Sequence, residues 1–219
     1  MTNQPAPLPV GTFSPARRAV RLESATLGWN SIEAAVAIVS GILAGSVALM
    51  AFGIDSGIEV VSATIVMIRL RALIGGGEPD KAKERTALKA VAVCFYALAG
   101  YVIVDAAISL ARADHPSASP SGLAITAAAL VVMPALAMKK RRAASSLAVS
   151  GHHGPATLLR ADAAETLLCA VLSVTTLVGV SLDSAFGWWW ADPVASLAVI
   201  YFAIKEGREA WQGELCCDD

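Results

Sequence analysis

Four side chains in this 219-residue sequence have types and spacing suited to holding a cation: Asp55 with Glu59, and Glu165 with Cys169. Each pair is separated by four positions, so on a helix its two members share one face. Two helices meeting through such faces present four donors, the number a tetrahedral transition-metal site takes. Other polar groups sit in the same apolar surroundings: Asn30, Glu33, Asp105 and Asp162, which are candidates for a supporting shell or an access path. On membrane-insertion scales a carboxylate at a helix centre costs about 2.5–3.5 kcal/mol. Two on each of two helices would cost on the order of 10 kcal/mol, comparable to a domain's whole net stability. No lysine or arginine lies at the middle of an expected span to pair with them, so a bound cation is the simplest compensation. Singly, Asp105 and Glu33 also fit protonated, hydrogen-bonded acids, and Cys169 alone fits a small buried hydrophobe.

The elements that carry these residues read as membrane helices. The chain is 56% hydrophobic and 16% charged, with a mean hydropathy of +0.61, and its apolar residues come in long runs. A span needs roughly 20 apolar residues to cross about 30 Å of hydrocarbon. Six segments qualify, at approximately 24–44, 46–70, 86–111, 121–138, 157–181 and 191–211. The expected fold is an all-α membrane protein, a six-transmembrane-helix bundle over 21–212. It is flanked by a disordered cytoplasmic tail (1–20) and a short Cys/Asp tail (213–219). Gly75 to Pro79 and Asp114 to Pro120 break the chain between spans, and the run Lys139–Arg142 is expected to stop the fourth. Asp192-Pro193 reads as a helix cap followed by proline at the first helical position. Gly41, Gly45, Gly53 and Gly57 are small enough to let helices approach closely.

Charge sets the orientation. Of the 17 lysines and arginines, Arg112 alone falls on the side of the third-to-fourth connection. The positive-inside rule then places both termini in the cytoplasm, as in a bacterial inner membrane. A net charge of −1 offers no basic patch for nucleic acid. The four cysteines form no disulfide framework: Cys94 and Cys169 lie in apolar runs, and Cys216 and Cys217 are adjacent. His115 reads as solvated in an outer loop. His152 and His153 fit either weak metal capture or no role, and the tryptophans at 188–190 fit an interfacial anchor.

Three runs, in order, resemble the cation diffusion facilitator family. Gly45 to Glu59 (GSVALMAFGIDSGIE) is similar to the family's second helix, where a D-x-x-x-D pair binds metal. Leu159 to Cys169 (LRADAAETLLC) resembles its fifth helix, usually A-D-x-x-H-x-x-x-D, and Trp190 to Ser196 (WADPVAS) resembles the start of its sixth. The similarity covers roughly 20–212 and implies metal ligands at Asp55, Glu59, Glu165 and Cys169. Glu165 stands where the family has histidine and Cys169 where it has aspartate, while Asp162 matches an acid that is not ordinarily a ligand. The resemblance implies proton-coupled export by alternating access, usually as a homodimer, here in a short form lacking the C-terminal cytoplasmic domain. A thiolate beside three carboxylates makes Zn2+ the first candidate substrate, with Fe2+, Co2+ and Mn2+ as alternatives and protons as counter-ion. Two readings compete: a non-transporting membrane metal-binding or scaffold protein, and an intramembrane enzyme, for which H-E-x-x-H and G-x-S-x-G are both lacking.

Overall fold

The computed structural model describes residues 13–44, 47–76, 80–112 and 120–212. They form six helices: α1 Phe13–Ala44, α2 Val47–Ile74, α3 Lys81–Arg112, α4 Pro120–Val149, α5 His153–Phe186 and α6 Ala191–Gln212. The expected all-α bundle of six helices is therefore the fold. Four stretches are long and apolar enough to cross a bilayer: Pro15–Leu43, Lys81–Arg112, Pro120–Val149 and His153–Gly179. Helices α2 and α6, of 28 and 22 residues, complete the bundle.

Polarity is turned inside out. Ile42, Leu43, Val131 and Tyr201 are exposed, whereas Glu23, Glu33, Lys140 and Asp162 are fully buried. Soluble proteins rarely bury so many ionisable side chains completely. A lipid-facing exterior removes the penalty on outward apolar side chains, and helices satisfy their own backbone groups there.

Several boundaries differ from the sequence expectation. Helix α1 begins at Phe13, so part of the tail expected over 1–20 is helical. Residues 1–12, Gly45, Ser46, His115 and the tail from 213, with Cys216 and Cys217, lie outside the described residues. Helix α4 does not stop at the basic run but continues to Val149, and the loop expected over 143–156 shrinks to a short turn. Glycine rather than charge ends it. Gly151, at φ +85°, donates to the Ala148 carbonyl (2.9 Å) while His152 donates to Leu147 (3.0 Å). That pair of bonds is the Schellman arrangement, which asks for a left-handed residue. Helix α6 starts at Ala191, where Val194 N–H donates to the Trp190 carbonyl (3.2 Å), so Trp190 and not Asp192 holds the cap position. Pro134 lies inside α4 and withholds one backbone donor without ending the helix.

Helix α5 is the centre of the bundle, packed against α2, α3, α4 and α6, while α1 packs on α2 and α4. Its fourfold packing explains why α5 is buried on nearly all sides between Pro155 and Cys169. Gly53 allows α2 to approach α1: a Cβ there would lie 2.6 Å from Ile38 Cγ1 and 3.1 Å from the Ala34 carbonyl. Gly57 does not do the same, because a Cβ there would meet nothing within 4 Å.

Candidate functional site

On α2 the buried positions Phe52, Asp55, Ser56, Glu59, Ser62, Ala63 and Val66 recur at steps of three and four. That spacing is a single helix face, and α2 packs on both α1 and α5. Helix α5 answers with Asp162, Glu165, Thr166, Cys169 and Ser173, all buried. A direct bond joins the two: Ser62 Oγ donates to Asp162 Oδ1 at 3.1 Å. From α1, the buried stripe Glu23, Thr26, Asn30, Glu33 faces the same interior.

Most of the sequence-predicted residues are brought into one region of the interior. Asp55 faces the Cys169 thiol within hydrogen-bonding reach, with Glu59 beside it. Glu33 adds its carboxyl next to Glu59 and Asp55, and Asn30 neighbours Glu59. Glu165 stands within electrostatic range of both α2 acids. Yet these acids are not bonded up. Among the described residues, Glu33, Glu59 and Glu165 accept no hydrogen bond on either oxygen, Asp55 accepts none on Oδ2, and Asn30 has no partner at either polar atom. Nor do the side chains close into a finished coordination shell: among the described residues, no three His, Cys, Asp or Glu side chains are arranged to hold a metal ion. A buried polar group without a partner costs several kcal/mol in hydrocarbon. Buried carboxylates in such surroundings need protons or a compensating charge.

Asp105 falls elsewhere. It is half-buried on α3, one turn from Tyr101, which lies within electrostatic range of both Asp105 and Asp55. His152 is half-buried and His153 exposed. With Asp80 and Glu84 they line a cavity of about 790 Å³ where the α2–α3 and α4–α5 connections meet. At its rim Asp80 caps α3, its Oδ1 accepting from the N–H groups of Ala82 (3.0 Å) and Lys83 (3.2 Å). Those bonds and the Lys83 ammonium hold the Asp80 carboxyl below the usual carboxylate range.

The expectation that no lysine pairs with the intramembrane acids is overturned. Lys140 is fully buried, bonded through Nζ to Asp162, 3.4 Å from Glu23 Oε2 and 3.1 Å from Thr166 Oγ1. Both Lys140 and Glu23 went unrecognised as interior residues because α4 and α1 extend beyond their expected ends. The signal was present. Met133, Leu136, Ala137, Lys140, Ala143, Ala144 and Leu147 continue one buried stripe through the basic run, leaving Lys139, Arg141 and Arg142 exposed. Cys94, which the sequence places in an apolar run, is buried on α3 within electrostatic range of Glu165 and Asp162.

Residues 84–211, more than half of the chain, match the cation efflux transmembrane domain. The chain belongs to the cation efflux family. The match spans nearly all of α3 and most of α6 with everything between, so Asp162, Glu165 and Cys169 lie inside it, whereas Asp55 and Glu59 precede it. No curated protein matches the chain significantly. As a cation efflux protein it is an integral, multi-pass membrane transporter of metal cations.

Proposed function

We propose that this cation efflux protein exports a divalent transition-metal ion, Zn2+ first among the candidates, in exchange for protons by alternating access. Asp55, Glu59, Glu165 and Cys169 are the ligands in this reading, with Asn30 and Glu33 supporting them. One observation carries it: carboxylates from α1, α2 and α5 are gathered in the bundle interior with their oxygens unpartnered among the described residues. Such groups need either protons or a cation. Metal binding displaces the protons, and reprotonation releases the metal, so competition for the same oxygens supplies the coupling. Among the described residues no three of these side chains are arranged to hold an ion, so the ligands have to move together to bind. The thiol favours Zn2+ over harder ions, with Fe2+, Co2+ and Mn2+ as the alternatives. Both termini are placed in the cytoplasm, and the working form is a homodimer.

Flux of each metal into sealed proteoliposomes under a pH gradient tests the proposal. Wild-type protein should accumulate Zn2+ only when a proton gradient opposes it. Asp55→Asn and Glu59→Gln should each reduce flux by more than about 100-fold, since even an outer-shell group is worth 10–100-fold in metal affinity. Wild-type flux in Asp55→Asn would remove it from the site. Binding without flux in the wild type would instead favour a non-transporting metal-binding protein.

A further inference from the structure

We propose that Glu23 and Asp162 form a second cation site, which this chain keeps filled with the ammonium of its own Lys140. The three residues come from α1, α5 and α4 and none has any solvent exposure. A single atom, Lys140 Nζ, serves both acids, as expected of a cation in a two-carboxylate site. Ser62 and Thr166 complete the surroundings with hydroxyls at 3.1 Å from Asp162 Oδ1 and Lys140 Nζ respectively. Glu23 is the telling member. Neither of its oxygens accepts a hydrogen bond from any described residue, although the ammonium stands 3.4 Å away. A carboxylate buried in this way and held by charge alone is placed to receive an ion.

A buried ion pair is a poor way to gain stability, because its desolvation offsets its attraction. Its value here lies in exclusion. Two carboxylates and the Thr166 hydroxyl around the ammonium are an all-oxygen donor set, which suits hard divalent ions such as Mn2+ or Mg2+ rather than thiophilic ones. Asp162 lies one helical turn before Glu165, and the Lys140 charge also reaches Glu59. An ion at Glu23 and Asp162 would therefore stand beside the acids that α2 and α5 offer. A tethered ammonium occupies that position permanently and bars a second cation, making Lys140 a specificity-determining residue.

The test counts Mn2+ bound per full-length chain in nanodiscs by equilibrium dialysis, comparing wild type, Lys140→Met and the triple variant Glu23→Gln/Lys140→Met/Asp162→Asn. Lys140→Met should bind one more Mn2+ than wild type, and the triple variant should lose that extra ion. Because Lys140→Met leaves two acids unpaired, its thermal unfolding is followed with and without saturating Mn2+. Stabilisation by Mn2+ beyond the wild-type shift is the expected result. A folded Lys140→Met that takes up no extra Mn2+ would overturn the proposal, as would one that stays unfolded at saturating Mn2+. The readout is a difference from wild type, so it stands whether or not Asp55 and Glu59 bind the transported metal.

Discussion

Cys169 shows how one side chain is pulled two ways. Its sulfur faces Asp55, yet the residue also belongs to an apolar cluster with Ala37, Phe52, Ala129, Met133 and Ala170. A thiol that only packed there would be replaceable by alanine at a cost set by the small cavity left behind. As a ligand it binds as thiolate and its loss is felt by the metal. Cys169→Ala should weaken Zn2+ binding by about 10–100-fold. Cys169→Asp keeps a charged donor and should retain transport while moving preference towards Mn2+ or Fe2+. Binding isotherms on the two purified variants check both expectations, and unchanged Zn2+ affinity in Cys169→Ala would take the thiol out of the site. Asp162 is then no substitute, because Lys140 already occupies its carboxylate.

At the scale of elements, two glycines separated by one helical turn make a controlled comparison. Gly53→Ala should destabilise the bundle by about 1–3 kcal/mol, because the added carbon meets the α1 backbone as well as Ile38. Gly57→Ala should be tolerated or mildly stabilising, since its Cβ enters open space. Unfolding in mixed micelles measures both. The cap of α3 gives a pH test. The folded Asp80 carboxyl sits below its ordinary value, so its stabilisation is complete above the unfolded range and disappears as pH falls through the folded value. Unfolding midpoints of wild type and Asp80→Ala should therefore differ near neutral pH and converge in acid. The i, i+4 pairs were legible in the sequence because a helix projects them onto one face whatever its ends do. The ends themselves were not. A run of four cations looks like the edge of a membrane, and only the continued three-and-four spacing through Lys140, Ala144 and Leu147 reveals that α4 passes it. The Gly57 expectation failed for a related reason: small residues permit close approach, but a neighbouring helix decides where it happens.

Across the whole molecule, the end of α2, the start of α3 and the α4–α5 turn come together around one cavity. In the proposed orientation, with both termini cytoplasmic, that cavity would lie on the cytoplasmic face. Cysteines introduced at position 150 and at position 118 should then react with an impermeant maleimide from opposite sides, position 150 from the cytoplasmic one. Labelling of both from the same side would break the assigned topology. The buried Lys140 has a consequence for how the protein comes into being. Chains are made from the N-terminus, and early segments begin to associate before later ones exist. Glu23 and Lys140 are both synthesised before Asp162 has emerged. The weaker contact, through Glu23, is thus the one available while α4 is settling in the bilayer. It gives a newly inserted ammonium its first partner and draws α4 to α1, leaving a prepared berth into which α5 then arrives with Asp162.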